Sequence, residues 1–114
     1  VGLSPRNFSE SVRRALDYID RNLSIELRID DICKKIYVAR STLIKRFGEE
    51  VGMSIGEYIT SEVMTRCEQL LCETDMTIGE ISERFGFCDQ FYFSRRFKEK
   101  YGETPQKYRR NRPI

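Results

Sequence analysis

The chain has 114 residues, 39% of them apolar, enough for one compact domain or for two small subdomains sharing a connector. It has no apolar run near the ~20 residues that cross a bilayer, no basic-then-apolar leader, no histidine and no C-x-x-C pair. Net charge is only +2, but it is uneven: residues 1–88 hold 12 basic against 15 acidic side chains, and residues 89–114 hold 8 against 3, so a polyanion is best received at the carboxyl end.

From the amino end, Phe8, Val12, Leu16, Ile19 and Leu23 recur every three or four residues. That spacing predicts an amphipathic helix over about Ser9 to Arg21, covering the first half of an internal repeat. Ile32 to Ala39 overlays Ile81 to Cys88, and Ser41 to Tyr58 overlays Phe91 to Tyr108, with one extra residue in the second turn. Val38 matches Phe87, Leu43 matches Phe93, Phe47 matches Phe97, Gly52 matches Gly102 and Tyr58 matches Tyr108. Each copy reads as a short helix, a tight turn and a longer helix, the pattern of a helix-turn-helix.

Between the copies, Ser54 to about Glu73 contains no proline, and its only glycine, Gly56, falls in the first turn. Ser54 with Glu57 forms a capping box, and Ile55, Ile59, Val63, Cys67, Leu70 and Leu71 make one apolar stripe. The prediction is a continuous connecting helix of about 20 residues, about 30 Å long, close to the ~34–36 Å repeat of B-DNA.

In the second copy Thr77 and Glu80 form another capping box, so a helix starts at Ile78, and Gly86 closes it. Beyond the turn Phe93, Phe97 and Tyr101 face inward, as Leu43, Phe47 and Val51 do in the first copy. Gln90, Phe91, Ser94, Arg95 and Lys98 then share the opposite face, and Ser41, Ile44, Lys45 and Gly48 match the last four. Tyr92 and Arg96 fall between the faces. Thr104-Pro105 opens a short last helix, and Arg109, Arg110 and Arg112 are expected to fray. The expected fold is all-α, with a first helix-turn-helix subdomain over 1–53, a connecting helix over 54–73 and a second subdomain with a basic tail over 74–114.

"IGEISERFGFCDQFYFSRRFKEKYGETPQKYR", together with "GMSIGEYI" and "RCEQLL", resembles the DNA-binding region of the AraC/XylS family of bacterial transcription regulators, and the resemblance spans about Phe8 to Arg110. It implies seven helices, binding to double-stranded promoter DNA, transcription activation and a contact with RNA polymerase. Position by position, it implies base contacts from Ser41, Ile44 and Lys45 in the first subdomain and from Gln90, Phe91, Ser94 and Arg95 in the second. The chemistry agrees: Arg95 can donate two parallel hydrogen bonds to guanine, Gln90 can bond adenine, and Ile44 or Phe91 can lie on a thymine methyl. Arg40, Lys98, Lys100, Lys107 and Arg109 are cast as phosphate contacts, which fix register without reading sequence.

The chain departs from the family pattern in its turns. Tyr37 stands where glycine is usual, and Ala39 and Cys88 stand where serine commonly caps the recognition helices. Thr60, Ser61 and Val63 occupy connector positions that are often basic.

An enzyme or sensor is not expected. The Asp30–Asp31 pair and the four cysteines have no histidine base, nucleophile elbow or phosphate-cradling glycine loop beside them, and no cofactor is implied. The cysteines are expected to be reduced and mostly buried, in a cytoplasmic, nucleoid-associated bacterial protein. The competing reading is a helix-turn-helix module that binds other proteins, because fold alone does not fix function. The chain opens on Val1 rather than Met, so it reads as a segment of something longer or as a processed chain, and the resemblance implies that effector binding and oligomerisation belong to an amino-terminal domain.

Overall fold

A computed structural model describes residues 8–111. Seven helices succeed one another: α1 (Glu10–Arg21), α2 (Ile29–Ile36), α3 (Arg40–Val51), α4 (Ile55–Glu73), α5 (Ile78–Arg84), α6 (Gln90–Tyr101) and α7 (Pro105–Asn111). Among the described residues no strand occurs, and no helix is long and apolar enough to cross a membrane. The chain divides into two compact units, which meet between Ser61 and Glu62, within α4; Ser24–Glu26 belongs to the second unit.

In the first unit α1 packs on α2 and α3. Its inward stripe is Val12, Ala15 and Ile19, all fully buried; Ala15 was not in the predicted stripe, whereas Leu16 is only half-buried. Ile32 and Ile36 from α2, Leu43 and Phe47 from α3, and Ile55 and Ile59 from the start of α4 complete the core. Each such aliphatic or aromatic side chain contributes about 1.5–3 kcal/mol by leaving water. Phe47 meets Tyr58 edge to face, with ring centroids 5.6 Å apart. The Ser9 main-chain N–H donates to Glu50 Oε1 at 2.7 Å, tying the head of α1 to the far end of α3.

α4 runs unbroken through 19 residues. Its predicted cap is present: Glu57 N–H donates to Ser54 Oγ, and Ser54 N–H donates to Glu57 Oε1, both at 3.1 Å. Met64, which the stripe omitted, is buried with Val63, Cys67 and Leu71, whereas Leu70 is only half-buried.

In the second unit Ile81, Phe85, Phe87, Phe93 and Phe97 are buried, as are these α4 residues and Pro105. The aromatic rings form a chain. Phe87 lies 5.0 Å from Phe93, Phe93 lies 5.9 Å from Phe97, and Phe97 touches both Tyr101 (4.5 Å) and Tyr108 (5.2 Å). The reciprocal Thr77–Glu80 cap forms as expected.

α7 is anchored. Tyr108 Oη donates to Glu68 Oε2 at 2.8 Å, and the Arg109 guanidinium donates to the main-chain carbonyls of Leu71 at 2.9 Å and Thr74 at 3.3 Å. A cation at the last carbonyls of α4 is favoured by the helix dipole. This corrects the expectation of fraying at Arg109, and it occupies the guanidinium that was expected to meet a phosphate. Arg112 lies outside the described residues. A second correction concerns the thiols, since Cys33 and Cys67 are buried but Cys72 and Cys88 are exposed.

Candidate nucleic-acid interface

The two repeats build their turns differently. In both, a residue closing the short helix takes the left-handed conformation: Gly86 at φ 81° and Tyr37 at φ 58°. For an L-residue with a Cβ this costs about 1–2 kcal/mol, and for glycine almost nothing. Tyr37 is tolerated because its side chain stands in open solvent, 89% exposed. Gly86 has no such freedom. Ile25 N–H and Ser24 Oγ both donate to Phe85 O, at 2.8 and 3.2 Å, so residues 24–26 pass directly over the turn. A Cβ on Gly86 would lie 2.5 Å from Ser24 Oγ and 2.8 Å from Glu26 Oε1.

The longer helices also start differently. α3 is preceded by Ala39, which offers no side-chain cap, as expected. α6 is capped by Asp89, whose Oδ1 accepts from Tyr92 N–H at 2.8 Å. This corrects the assignment of that position to Cys88: the extra residue of the second turn comes before the cap, so Asp89 is the counterpart of Ala39. A carboxylate at a helix N-terminus also interacts favourably with the dipole.

Turned outward on α3 are Arg40, Ser41, Ile44 and Lys45, all exposed, while Leu43 and Phe47 hold the opposite side. Arg40 pairs with Asp30 at 3.2 Å on the surface, and Gly48 is exposed at the end of the stripe. Arg46 is exposed as well, a cation that the stripe did not include.

On α6 the same division holds, with Phe93 and Phe97 fully buried and Gln90, Phe91, Arg95 and Lys98 exposed. Ser94 is half-buried. Phe91 is 76% exposed, an apolar ring that the fold leaves in water. Gln90 leans on α5, where a Cβ on Gly79 would come within 3.0 Å of its Oε1. Lys100 and Lys107 are exposed at the end of α6 and on α7.

The structure places the two side chains that spacing left unassigned. Tyr92 and Arg96 are half-buried, and Arg96 Nη1 donates to Tyr92 Oη at 2.9 Å while its Nε faces Glu99 Oε1 at 3.4 Å. The Tyr92 ring packs 5.9 Å from Phe87 and carries the guanidinium carbons of Arg95 at 5.6 Å and Arg96 at 5.8 Å. The sequence signal was the i, i+3, i+4 spacing of Tyr92, Arg95 and Arg96, which puts an aromatic ring one turn before two cations.

This arrangement offers two outward helix faces that mix amide, hydroxyl and guanidinium donors with apolar groups, the set that can meet base edges in a major groove. The family described as "Helix-turn-helix domain" matches residues 32–111. The chain is 31% identical over 105 residues to the regulatory protein PocR of Salmonella typhimurium, covering 92% of this chain and 35% of the relative. It therefore spans about a third of that protein's length. Among solved structures, the C-terminal domain of AraT, a response regulator from Geobacillus stearothermophilus, superposes with a TM-score of 0.87 at 34% identity, covering 94% of this chain and 89% of that one. An AraC-type DNA-binding domain protein from Chromobacterium violaceum gives a TM-score of 0.79 at 26% identity, with 91% and 95% covered.

Proposed function

This chain belongs to the AraC/XylS family of helix-turn-helix DNA-binding regulators, and on that premise we propose that it binds double-stranded promoter DNA sequence-specifically through α3 and α6, in successive major grooves, to activate transcription. The observation that carries this reading is the outward face of α6. Gln90, Phe91 and Arg95 stand exposed on a helix whose other side is the buried Phe93–Phe97 core. Preorganised donors on a rigid helix lose little freedom on meeting a base.

Ser41, Ile44 and Lys45 on α3, and Gln90, Phe91, Ser94 and Arg95 on α6, are the proposed base readers. Arg40, Lys98, Lys100 and Lys107 are the proposed phosphate contacts. Arg109 leaves that group because its guanidinium serves α4. The two-groove mode asks for recognition helices in grooves that recur every ~34–36 Å, and the repeat supplies one such helix in each unit. RNA polymerase is the proposed protein partner, and effector binding and oligomerisation are proposed to lie in sequence beyond this chain.

The test is selection of bound duplexes from a random library, then titration of the selected site across salt concentrations. Sequence-specific binding should enrich two half-sites about one helical turn apart. The log of affinity should fall linearly with the log of salt, by about 0.9 per phosphate contact. A library that returns no preferred sequence would leave the alternative, a protein-binding module.

A further inference from the structure

Two adjacent arginines, Arg95 and Arg96, leave α6 from neighbouring positions, and the structure treats them differently. Arg96 is held on two sides, by the Tyr92 hydroxyl at 2.9 Å and by Glu99 at 3.4 Å. Arg95 is exposed; its guanidinium carbon lies 5.6 Å from the centre of the Tyr92 ring, as that of Arg96 does at 5.8 Å. A guanidinium drawn to a ring by the ring's quadrupole spends none of its in-plane N–H donors on a hydrogen-bond acceptor. Bidentate recognition of guanine N7 and O6 needs those in-plane donors.

The ring is itself fixed. The residue's main-chain N–H is bound by the Asp89 cap at 2.8 Å, and the ring packs 5.9 Å from Phe87, which is buried and lies 5.0 Å from Phe93. A continuous line of contact therefore runs from the core of the second unit, through Phe87 and Tyr92, to the side chain that faces solvent.

We propose that Tyr92 is a positioning residue that separates the two arginines by role: its ring presents Arg95 edge-on to a base pair, while its hydroxyl, with Glu99, holds Arg96 back from the DNA. This rests on the reading of Arg95 as a base reader, and it adds that Arg95 reads well only because a neighbouring ring aims it. Ring and hydroxyl do separate jobs, so they can be removed separately.

The experiment measures discrimination, meaning the ratio of affinities for the selected duplex and for duplexes changed at each base pair in turn, for the wild-type chain and for Tyr92→Phe, Tyr92→Leu and Arg95→Ala. Arg95→Ala should lower discrimination at one base pair by about five- to 150-fold. Tyr92→Leu should lower it at that same base pair by about two- to fivefold, the worth of an exposed cation–π contact. It should have no further effect when combined with Arg95→Ala. Tyr92→Phe should keep discrimination within about twofold and, by freeing Arg96, steepen the salt dependence by up to about one phosphate contact.

An NMR readout needs no DNA. The Arg95 Nε–H resonance should carry a ring-current shift in the wild type and in Tyr92→Phe that disappears in Tyr92→Leu, with the α6 amide pattern intact as the folding control. If Arg95→Ala leaves discrimination unchanged, the base-reading role of Arg95 fails. If Arg95→Ala abolishes discrimination but Tyr92→Leu leaves it whole, or lowers it equally in the Arg95→Ala background, the positioning role alone is overturned. Equal losses in Tyr92→Phe and Tyr92→Leu would also overturn it, by assigning the effect to the hydroxyl.

Discussion

At Tyr37 and Gly86 the two turns meet the same conformational demand with different side chains. Replacing Tyr37 by glycine removes a left-handed L-residue at an open site, so it should stabilise the first unit by roughly 1 kcal/mol in urea unfolding. The reciprocal change, Gly86→Ala, should destabilise by more than that, because the added Cβ also displaces Ser24 Oγ from the Phe85 carbonyl. Binding separates residues too. Arg95→Ala should cost about 1–3 kcal/mol on a selected duplex and relax preference at one base pair, whereas Lys107→Ala should weaken all duplexes alike and make the salt slope shallower by about one. Affinity measured on selected and scrambled DNA at several salt concentrations distinguishes the two. Thiol chemistry adds a residue-level check: burial pushes the Cys67 thiol up to about 12, while Cys72 and Cys88 are exposed. Iodoacetamide at about pH 8 should therefore label Cys72 and Cys88 in the folded chain and reach Cys67 only on unfolding.

Helix starts decide stability one element at a time. α6 has Asp89 as a working cap and α3 has only Ala39. Asp89→Ala should cost about 1 kcal/mol, and Ala39→Ser should add a similar amount, both read as shifts in the unfolding midpoint. In α4, the main-chain hydrogen bond from Ser54, with a smaller contribution from its side chain, holds the Glu57 carboxyl below the usual carboxylate range. A carboxyl lowered in the folded state stabilises above its unfolded value, and that contribution is lost as pH falls through the folded value. Glu57→Gln should therefore flatten the acid limb of the stability profile, while leaving its neutral region little changed in slope.

Across the whole molecule, two units share α4, and the outward faces of α3 and α6 belong one to each. If both enter DNA, inserting about five base pairs between the selected half-sites turns them to opposite sides of the duplex. Affinity should then fall toward that of a single half-site. A gel-shift series over these spacings decides this.

The sequence by itself determined what depends on near neighbours. Capping boxes at Ser54 and Thr77, the glycine-closed turn at Gly86 and the inward Phe93–Phe97 stripe all act over a few residues, so their spacing suffices to fix helix, turn and facing. Only the tertiary structure decided what joins distant segments. The tie of Arg109 to Leu71, the passage of Ser24 over Phe85 and the burial of Ala15 and Met64 depend on residues brought together by folding, some of them 38 or 61 positions apart. The roles of Tyr92 and Arg96 were hidden for another reason: they sit on the border between two faces, where periodicity is silent and the neighbouring Phe87 ring settles which way each side chain lies.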